Sequence, residues 1–299
     1  MSGAELGALG TSPEALARHY DLSNEFFALM LDPTMAYSCA IFADDHTTLE
    51  SASIEKFRLV CERLQLQPND HLLEIGSGWG GLAIFAASNY GCRVTTTTIS
   101  DEQYDYTEKR IAEAGLANQI TVRSDHYREL TGSYDKLVSI EMIEAVPWWE
   151  LNDYFAAVAR LLTPNGRALI QSINMNNASY ARSKRHDEFI RHFIFPGSNL
   201  PSVNALTGAA DRADLRLAEL HDIGHHYPPT LRAWAANLDA NQATINDVAP
   251  HLANERFQRL WNFYLAYCEA AFADGHITDT HTVWTPGNGR GTRASLLTR

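Results

Sequence analysis

Residues 72–81 read LLEIGSGWGG and carry the clearest fold signal in this chain. Apolar residues predict a strand with Glu74 near its end, a glycine-rich turn follows, and residues 82–87 predict the start of a helix. Glycine lets a backbone bend sharply and pass close to a ligand, because no Cβ is in the way. A helix behind such a turn offers free N–H groups and the positive end of its dipole. The stretch therefore predicts a nucleotide-type pocket at the carboxyl end of a parallel strand, with a tight strand–helix turn of another α/β protein as the alternative.

The composition limits the kinds of partner that this chain can bind. The chain has 299 residues, a formal net charge of −12 at pH 7 and a pI near 5.4. Phosphate binding needs a basic surface, so we expect neither nucleic acid nor a general electrostatic attachment to anionic membrane. The cysteines show no C-x-x-C spacing and no histidine pair has helical metal-ligand spacing, so neither a disulfide framework nor a metal site is predicted. The absence of a signal peptide and of a membrane-spanning apolar run predicts a cytoplasmic protein.

The order of strand and helix signals predicts an α/β domain. Strands are predicted at 71–75, 93–99, 120–122, 136–140 and 167–173, the last of them after a turn at 163–166, with helices between most of them. This alternation indicates βαβ units and a parallel sheet covered on both faces. Aromatic residues recur at helical spacing between 254 and 273, and we interpret them as packing rather than as a cofactor site.

Short blocks on both sides of the glycine turn resemble one known family. They are HYDLSNEFF at 19–27, LDPTMAYSC at 31–39, TTISDEQ at 97–103, SIEMIEAV at 139–146 and IFPG at 194–197. The glycine turn is similar to the first motif of methyltransferases that use S-adenosylmethionine (SAM). With these blocks, the chain resembles the cyclopropane-fatty-acyl-phospholipid synthases, including the mycolic-acid cyclopropane synthases. The Tyr-Ser-Cys and Phe-Pro-Gly blocks are specific to that family, and the resemblance covers about residues 16–283.

The resemblance implies a fold and a division of the chain. The fold is the α/β class I SAM-methyltransferase fold, a Rossmann-like, seven-stranded, mostly parallel sheet with added helices that form a substrate lid. We therefore expect one methyltransferase domain at 13–283 between flexible ends at 1–12 and 284–299. Its expected parts are an N-terminal helical cover at 13–64 and substrate-tunnel or lid helices at 174–200 and 228–275.

The resemblance also implies a reaction. SAM gives a methyl group to a cis double bond of an unsaturated acyl lipid, and a proton is then lost to close a cyclopropane ring; related members leave a methyl branch or a methylene. An alkene is a weak nucleophile, so positioning in a dry slot carries much of the catalysis. The carbocation that forms needs a nearby anion or aromatic face, and a base must take the proton. In the resembled family that base is a bicarbonate ion.

Five residues match the bicarbonate site of the family: Cys39 through its backbone, Glu144, Tyr227, Gln171 and Ile173 through its backbone. Two departures stand out. Gln171 replaces a histidine and cannot carry charge near neutral pH, so it is a weaker ligand. Ala145 replaces a second histidine, and Pro147 stands where the family has glycine. Both departures leave ring closure, as opposed to simple methylation, undecided.

The SAM contacts follow the same motifs. The glycines should let the backbone pass the cofactor, Glu74 should act through the loop, and the turn after the third strand should read the adenine edge. The implied SAM contacts are Tyr37, Ser38, Gly76, Gly78, Thr98, Ile99, Gln103, Asp125 and His126.

Several alternatives stay open. The same scaffold could methylate a natural-product alkene or another small molecule, or could bind SAM without catalysis. The basic stretch 182–186 either forms a solvated face or binds a head group of the substrate. The apolar residues 189–195 either line an acyl tunnel or pack in the core. A homodimer and transient contact with a membrane surface are both compatible with the sequence.

Overall fold

The computed structural model describes residues 23–184, 188–250, 252 and 254–287. The first part of the expected helical cover (13–22), the predicted flexible end at 1–12, part of the basic stretch (185–186) and residues 288–299 lie outside the described residues. Residues 284–286, predicted to be flexible, instead end a strand, and Trp284 is only 1% exposed.

Seven strands form one sheet in the described part of the chain, in the order β3-β2-β1-β4-β5-β7-β6. The strands β1 to β5 pair in parallel, and β7 runs antiparallel to both β5 and β6. The strands are β1 His71–Ile75, β2 Arg93–Thr97, β3 Ile120–Arg123, β4 Tyr134–Ile140, β5 Leu162–Met175, β6 Leu215–Asp222 and β7 Ile277–Pro286. Because β1 lies between β2 and β4, the chain reverses its direction of winding there, and a crevice opens beyond the carboxyl ends of these strands.

Helices cover the sheet, and several begin at side-chain caps. Ser100 and Thr48 each accept a hydrogen bond from a backbone N–H in the first turn, which fixes where those helices begin. The helices up to residue 161 are α1 Asn24–Met30, α2 Leu49–Leu64, α3 Gly81–Tyr90, α4 Asp101–Glu113 and α5 Leu151–Leu161. Those after β5 are α6 Asn177–Ser183, α7 Phe189–Phe193, α8 Val203–Arg212, α9 Tyr227–Ala240, α10 Gln242–Val248 and α11 Glu255–Ala273.

An aromatic cluster joins α1, α9 and α11 to the glycine turn. It contains Phe26, Phe27, Tyr37, Trp79, Tyr227, Trp234, Trp261, Tyr264 and Phe272. Trp261 and Tyr264 are buried in it, so the aromatic residues of α11 pack as expected. The cluster lies where the resemblance places a substrate lid, beside the end of β1 that carries the glycines.

The structure divides the apolar residues 189–195 between two environments. Ile194 is buried in the core at 4% exposure, whereas Phe193 on α7 is 57% exposed. No helix among the described residues is long and apolar enough to cross a membrane.

Candidate active site

A cavity of about 630 Å³ lies beyond the carboxyl ends of β1, β2 and β4. Sites that bind ligands of cofactor size span about 300–1,000 Å³, so SAM fits this space. All nine residues predicted to contact SAM line the cavity: Tyr37, Ser38, Gly76, Gly78, Thr98, Ile99, Gln103, Asp125 and His126. Their individual contacts with SAM remain predictions.

Two glycines of the turn are required for different reasons. Gly78 has φ +49°. A Cβ at this residue would meet no described atom within 4 Å, so glycine is favoured here by the backbone conformation and not by a lack of space. A Cβ on Gly81 would lie 2.4 Å from the carbonyl oxygen of Thr34. The loop that carries Tyr37 and Ser38 therefore packs directly on the start of α3.

Glu74 lines the cavity as an uncharged group near neutral pH. Burial raises the pKa of its carboxyl to about 8, although a hydrogen bond from Thr96 Oγ1, 2.6 Å from Glu74 Oε2, opposes the shift. Glu74 is thus tied to β2 at the base of the glycine turn, as expected for a residue that acts through the loop.

The end of β2 and the turn after β3 hold the polar residues of the cavity. Thr98 Oγ1 donates to Gln103 Oε1 at 3.0 Å, which orients a buried amide. Asp125 bonds Arg123 at 2.8 Å, and that hydrogen bond lowers the pKa of its carboxyl. Because an arginine holds it, Asp125 stays ionised as an acceptor near the cavity.

Hydrogen bonds with residues of α11 and α2 orient the side chains of Tyr37 and Ser38. The Tyr37 hydroxyl lies 3.0 Å from the Tyr264 hydroxyl of α11. Lys56 on α2 is fully buried and donates to Ser38 Oγ. Burial lowers the pKa of this lysine, while Glu141, Cys39 and Asp32 act in the opposite direction. Lys56 is thus a buried basic residue in direct contact with Ser38, and sequence reasoning missed it because it lies on a helix of mixed polarity.

Three of the residues predicted to hold bicarbonate converge instead on the carboxylate of Glu141. Oε1 of Glu141 accepts from Cys39 N and from Gln171 Nε2, both at 2.8 Å. Oε2 accepts from the Tyr227 hydroxyl at 2.6 Å. Glu141 follows β4 directly and also lines the SAM cavity.

The remaining two predicted residues bond each other. Ile173 N donates to Glu144 Oε1 at 2.6 Å, and Glu144 Oε2 is buried with no hydrogen-bond partner among the described residues. Burial, and then the neighbouring Glu141, raise the pKa of Glu144 to about 8. Glu144 is therefore protonated at neutral pH.

A chain of hydrogen bonds, from half-buried Arg63 through buried His281, fixes the orientation of Gln171. Arg63 hydrogen-bonds His281 Nδ1, and His281 Nε2 lies 3.0 Å from Gln171 Oε1. Burial lowers the pKa of His281 well below its usual value, so the ring is neutral and Nε2 donates. The amide NH₂ of Gln171 must then face Glu141 and Asp279 Oδ2, which lies 2.7 Å away.

Comparison with known proteins decides what kind of site this is. A family model described as mycolic acid cyclopropane synthetase matches residues 9–282. The chain belongs to this family. The resemblance inferred from the motifs is thereby confirmed.

Relatives of this cyclopropane synthase family member confirm its class. Tuberculostearic acid methyltransferase UfaA1 of Mycobacterium tuberculosis is 37% identical over 271 residues, which cover 88% of this chain and 62% of that relative's length. The cyclopropane-fatty-acyl-phospholipid synthase of Escherichia coli K12 is 37% identical over 298 residues, covering 99% of this chain and 74% of that one. Mycolic acid cyclopropane synthase CmaA1 complexed with SAH and CTAB matches with a TM-score of 0.81 at 29% identity, over 93% of this chain and 97% of that one. The predicted class I fold and SAM-dependent methyltransferase class are confirmed.

A separate bicarbonate ion does not fit the residues of this family member. The Cys39 N–H and the Tyr227 O–H each have one hydrogen, and both hydrogens bond Glu141. Both hydrogens of the Gln171 amide are also used, on Glu141 and Asp279. The Ile173 N–H bonds Glu144. The donors expected to hold the ion therefore already hold protein carboxyl groups.

Two further expectations meet the structure here. Ala145 and Pro147, which replace family residues, both line the cavity. In the basic stretch, the Lys184 ammonium lies 4.0 Å from the Tyr180 ring centroid and 4.8 Å from that of Trp148. Lys184 therefore packs on aromatic faces, and a grip on a head group remains a prediction.

Sequence reasoning missed Glu141, Asp279 and His281 as site residues. Glu141 lies inside a motif of the family and three residues before Glu144, which is the only local signal for it. Asp279 and His281 lie on β7, a polar strand that no hydropathy pattern indicates.

Proposed function

We propose that this family member transfers a methyl group from SAM to a cis double bond in the acyl chain of an unsaturated phospholipid. The observation that carries the proposal is a wall shared by the SAM cavity and the aromatic cluster. Tyr37 lines the cavity, and its ring centroid lies 5.2 Å from that of Trp234. Glu141 lines the same cavity and bonds Tyr227 of the cluster.

The shared wall suits the chemistry of an uncharged substrate. SAM supplies an electrophilic methyl group when it is bound. The aromatic cluster excludes water, so an alkene held against it meets the cofactor in a dry environment. Methylation leaves a positive charge on an alkene carbon, which the Glu141 carboxylate and the ring faces of Tyr37 and Trp234 stabilise.

The product of the proposed reaction is a cyclopropane, with a methyl branch as the second candidate. One of the relatives at 37% identity is named a cyclopropane-fatty-acyl-phospholipid synthase, and the other a tuberculostearic acid methyltransferase. Their equal identity does not favour either product. Loss of a proton from the new methyl group closes a ring, whereas loss from a neighbouring chain carbon leaves a methyl-branched alkene.

The test uses isotope-labelled SAM and vesicles of an unsaturated phospholipid, with a saturated phospholipid of the same head group as the control. Mass spectrometry of the acyl chains should show one added CH₂ unit in the unsaturated lipid only. A product with one added CH₂ unit that resists hydrogenation is the ring, whereas uptake of hydrogen by such a product identifies the methylene or the branched alkene. A saturated methyl branch is recognised by two further hydrogens in its mass. Label that appears in neither lipid refutes a phospholipid substrate, and calorimetry without SAM binding refutes the methyltransferase proposal itself.

We also propose that the protein meets its lipid by transient contact of α7 and α11 with a membrane surface. Phe193, Phe263 and Tyr267 are exposed on these helices at 57%, 54% and 43%. Phe189 joins them, since its ring centroid lies 4.8 Å from that of Phe263. Co-sedimentation with vesicles should fall for Phe193→Ser and Phe263→Ser, and unchanged sedimentation refutes this contact. A cytoplasmic location and a homodimer remain predictions.

A further inference from the structure

The backbone at Glu141 indicates that its side chain has a specific task. Glu141 has φ +45°, in the left-handed region that L-residues with a Cβ avoid at a cost of about 1–2 kcal/mol. Glycine adopts this conformation without that penalty. The backbone N–H of Glu141 bonds the Gln171 carbonyl at 2.9 Å, so the neighbouring strand holds it in place. A glutamate in a position suited to glycine points to a function for its carboxylate.

Hydrogen bonds hold the Glu141 carboxylate in one orientation beside the SAM cavity. Cys39 and Gln171 donate to Oε1, and Tyr227 donates to Oε2. The Asp279 carboxyl group also hydrogen-bonds Glu141. Glu141 lines the SAM cavity, so its carboxylate lies beside the space where the methyl donor would bind.

Two buried carboxyl groups, those of Glu144 and Asp279, interact electrostatically with Glu141. Burial and then Glu141 raise the pKa of Glu144 to about 8, so this group is protonated at neutral pH. The same two causes raise the pKa of Asp279 well above its usual range. Three donors hydrogen-bond the oxygens of Glu141, and buried Lys56 is close enough to interact with it electrostatically.

We propose that Glu141 is the base of the reaction and takes the place that a bicarbonate ion holds in the resembled family. This inference rests on the proposed function. The bond between the methyl carbon and the SAM sulfur breaks as that carbon bonds an alkene carbon, which leaves neutral SAH and a carbocation. The Glu141 carboxylate then accepts a proton, either from the new methyl group or from the chain carbon next to the cation. The electron pair of that C–H bond closes the ring or forms a double bond, and the Glu141 carboxyl group becomes neutral.

The inference predicts that the enzyme needs no dissolved bicarbonate. Methyl transfer by the wild-type protein in CO₂-free buffer should proceed at the same rate before and after bicarbonate is added. Glu141→Gln keeps the shape but removes the base, so kcat should fall by about 10²–10⁴. Glu113→Gln changes an exposed glutamate of α4 and should leave the rate unchanged.

A second variant creates space for the ion. Glu141→Gly frees the donors of Cys39, Gln171 and Tyr227, and glycine tolerates the backbone conformation, so the variant should fold. Its rate in CO₂-free buffer should be low and should rise on addition of bicarbonate. NMR line broadening of ¹³C-bicarbonate should show binding to this variant and none to the wild type.

Each outcome decides between the two bases. Wild-type activity that depends on added bicarbonate, bicarbonate binding to the wild type, or full activity of Glu141→Gln overturns the inference. A wild-type protein that methylates no lipid overturns the proposed function, whereas the NMR titration still decides whether Glu141 occupies the place of the ion.

Discussion

Replacement of Glu144 by glutamine should make the stability of this protein less sensitive to pH. Burial and the adjacent Glu141 raise the pKa of Glu144 from 4.5 to about 8 in the folded protein. The folded state therefore holds this proton more tightly than the unfolded chain does. The resulting stabilisation is complete below about pH 4.5 and is lost as the pH rises through about 8.

The size of the effect follows from linkage. One group that is protonated in the folded state and ionised in the unfolded state changes the free energy of unfolding by about 1.4 kcal/mol per pH unit. Between about pH 6 and about pH 8, the wild type should therefore lose about 2–3 kcal/mol more than Glu144→Gln, which carries no titrating group at this position.

Urea unfolding followed by circular dichroism at these two pH values measures the difference. Glu113→Gln is the matched control, because its carboxylate is exposed on α4 and should leave the pH dependence of the wild type unchanged. If Glu144→Gln and the wild type lose equal stability over this range, Glu144 is ionised in the folded protein. The interpretation of Glu144 as a protonated neighbour of Glu141 is then refuted.

Three further substitutions test other parts of the site. Gln171→Leu should destabilise the protein by about 1–3 kcal/mol in urea unfolding and lower kcat more than it raises KM, because buried Glu141 and Asp279 lose a donor; an unchanged kcat contradicts this. Trp234→Ala, at a site 1% exposed, should cost about 3–5 kcal/mol of stability, and a loss below about 1 kcal/mol contradicts its place in the core. Gly81→Ala should weaken SAM binding in calorimetry because its Cβ would clash with the Thr34 carbonyl, whereas Gly208→Ala on α8 should bind SAM as the wild type does.

The parts of the fold that could be predicted are those whose signals are local. β1 lies at 71–75 as predicted, because its apolar run ends at a glycine turn. β5 begins earlier than its predicted start at residue 167, since the Thr163–Gly166 segment forms an irregularity in the strand rather than a separate turn. β7 was not predicted, because its buried residues include polar Thr280, His281 and Thr282, whose side chains hydrogen-bond residues of the neighbouring strand β5.

The site residues likewise divide into those that short motifs indicate and those that only the tertiary structure brings together. The glycine turn and the residues around the SAM cavity follow from short motifs. The partners of Glu141 lie 102, 30 and 86 residues away in the chain, so only folding brings them to its carboxylate. A glutamate directly after a strand otherwise indicates a solvated charge at a helix start. Sequence motifs therefore identify the hydrogen-bond donors Cys39, Gln171 and Tyr227, whereas the tertiary structure is needed to show that they bond Glu141.

A base attached to the backbone has a consequence for the product. A dissolved ion can turn within its site, whereas Glu141 is fixed by three hydrogen bonds and by its place at the end of β4. The proton goes to an oxygen of this fixed carboxylate, so the C–H bond that faces the carboxylate is the one that breaks. A C–H of the new methyl group leads to a ring, and a C–H of the neighbouring chain carbon leads to a double bond. The residues that set the depth of the acyl chain against Tyr37 and Trp234 therefore control the product, while Glu141 supplies the same proton acceptor in both cases.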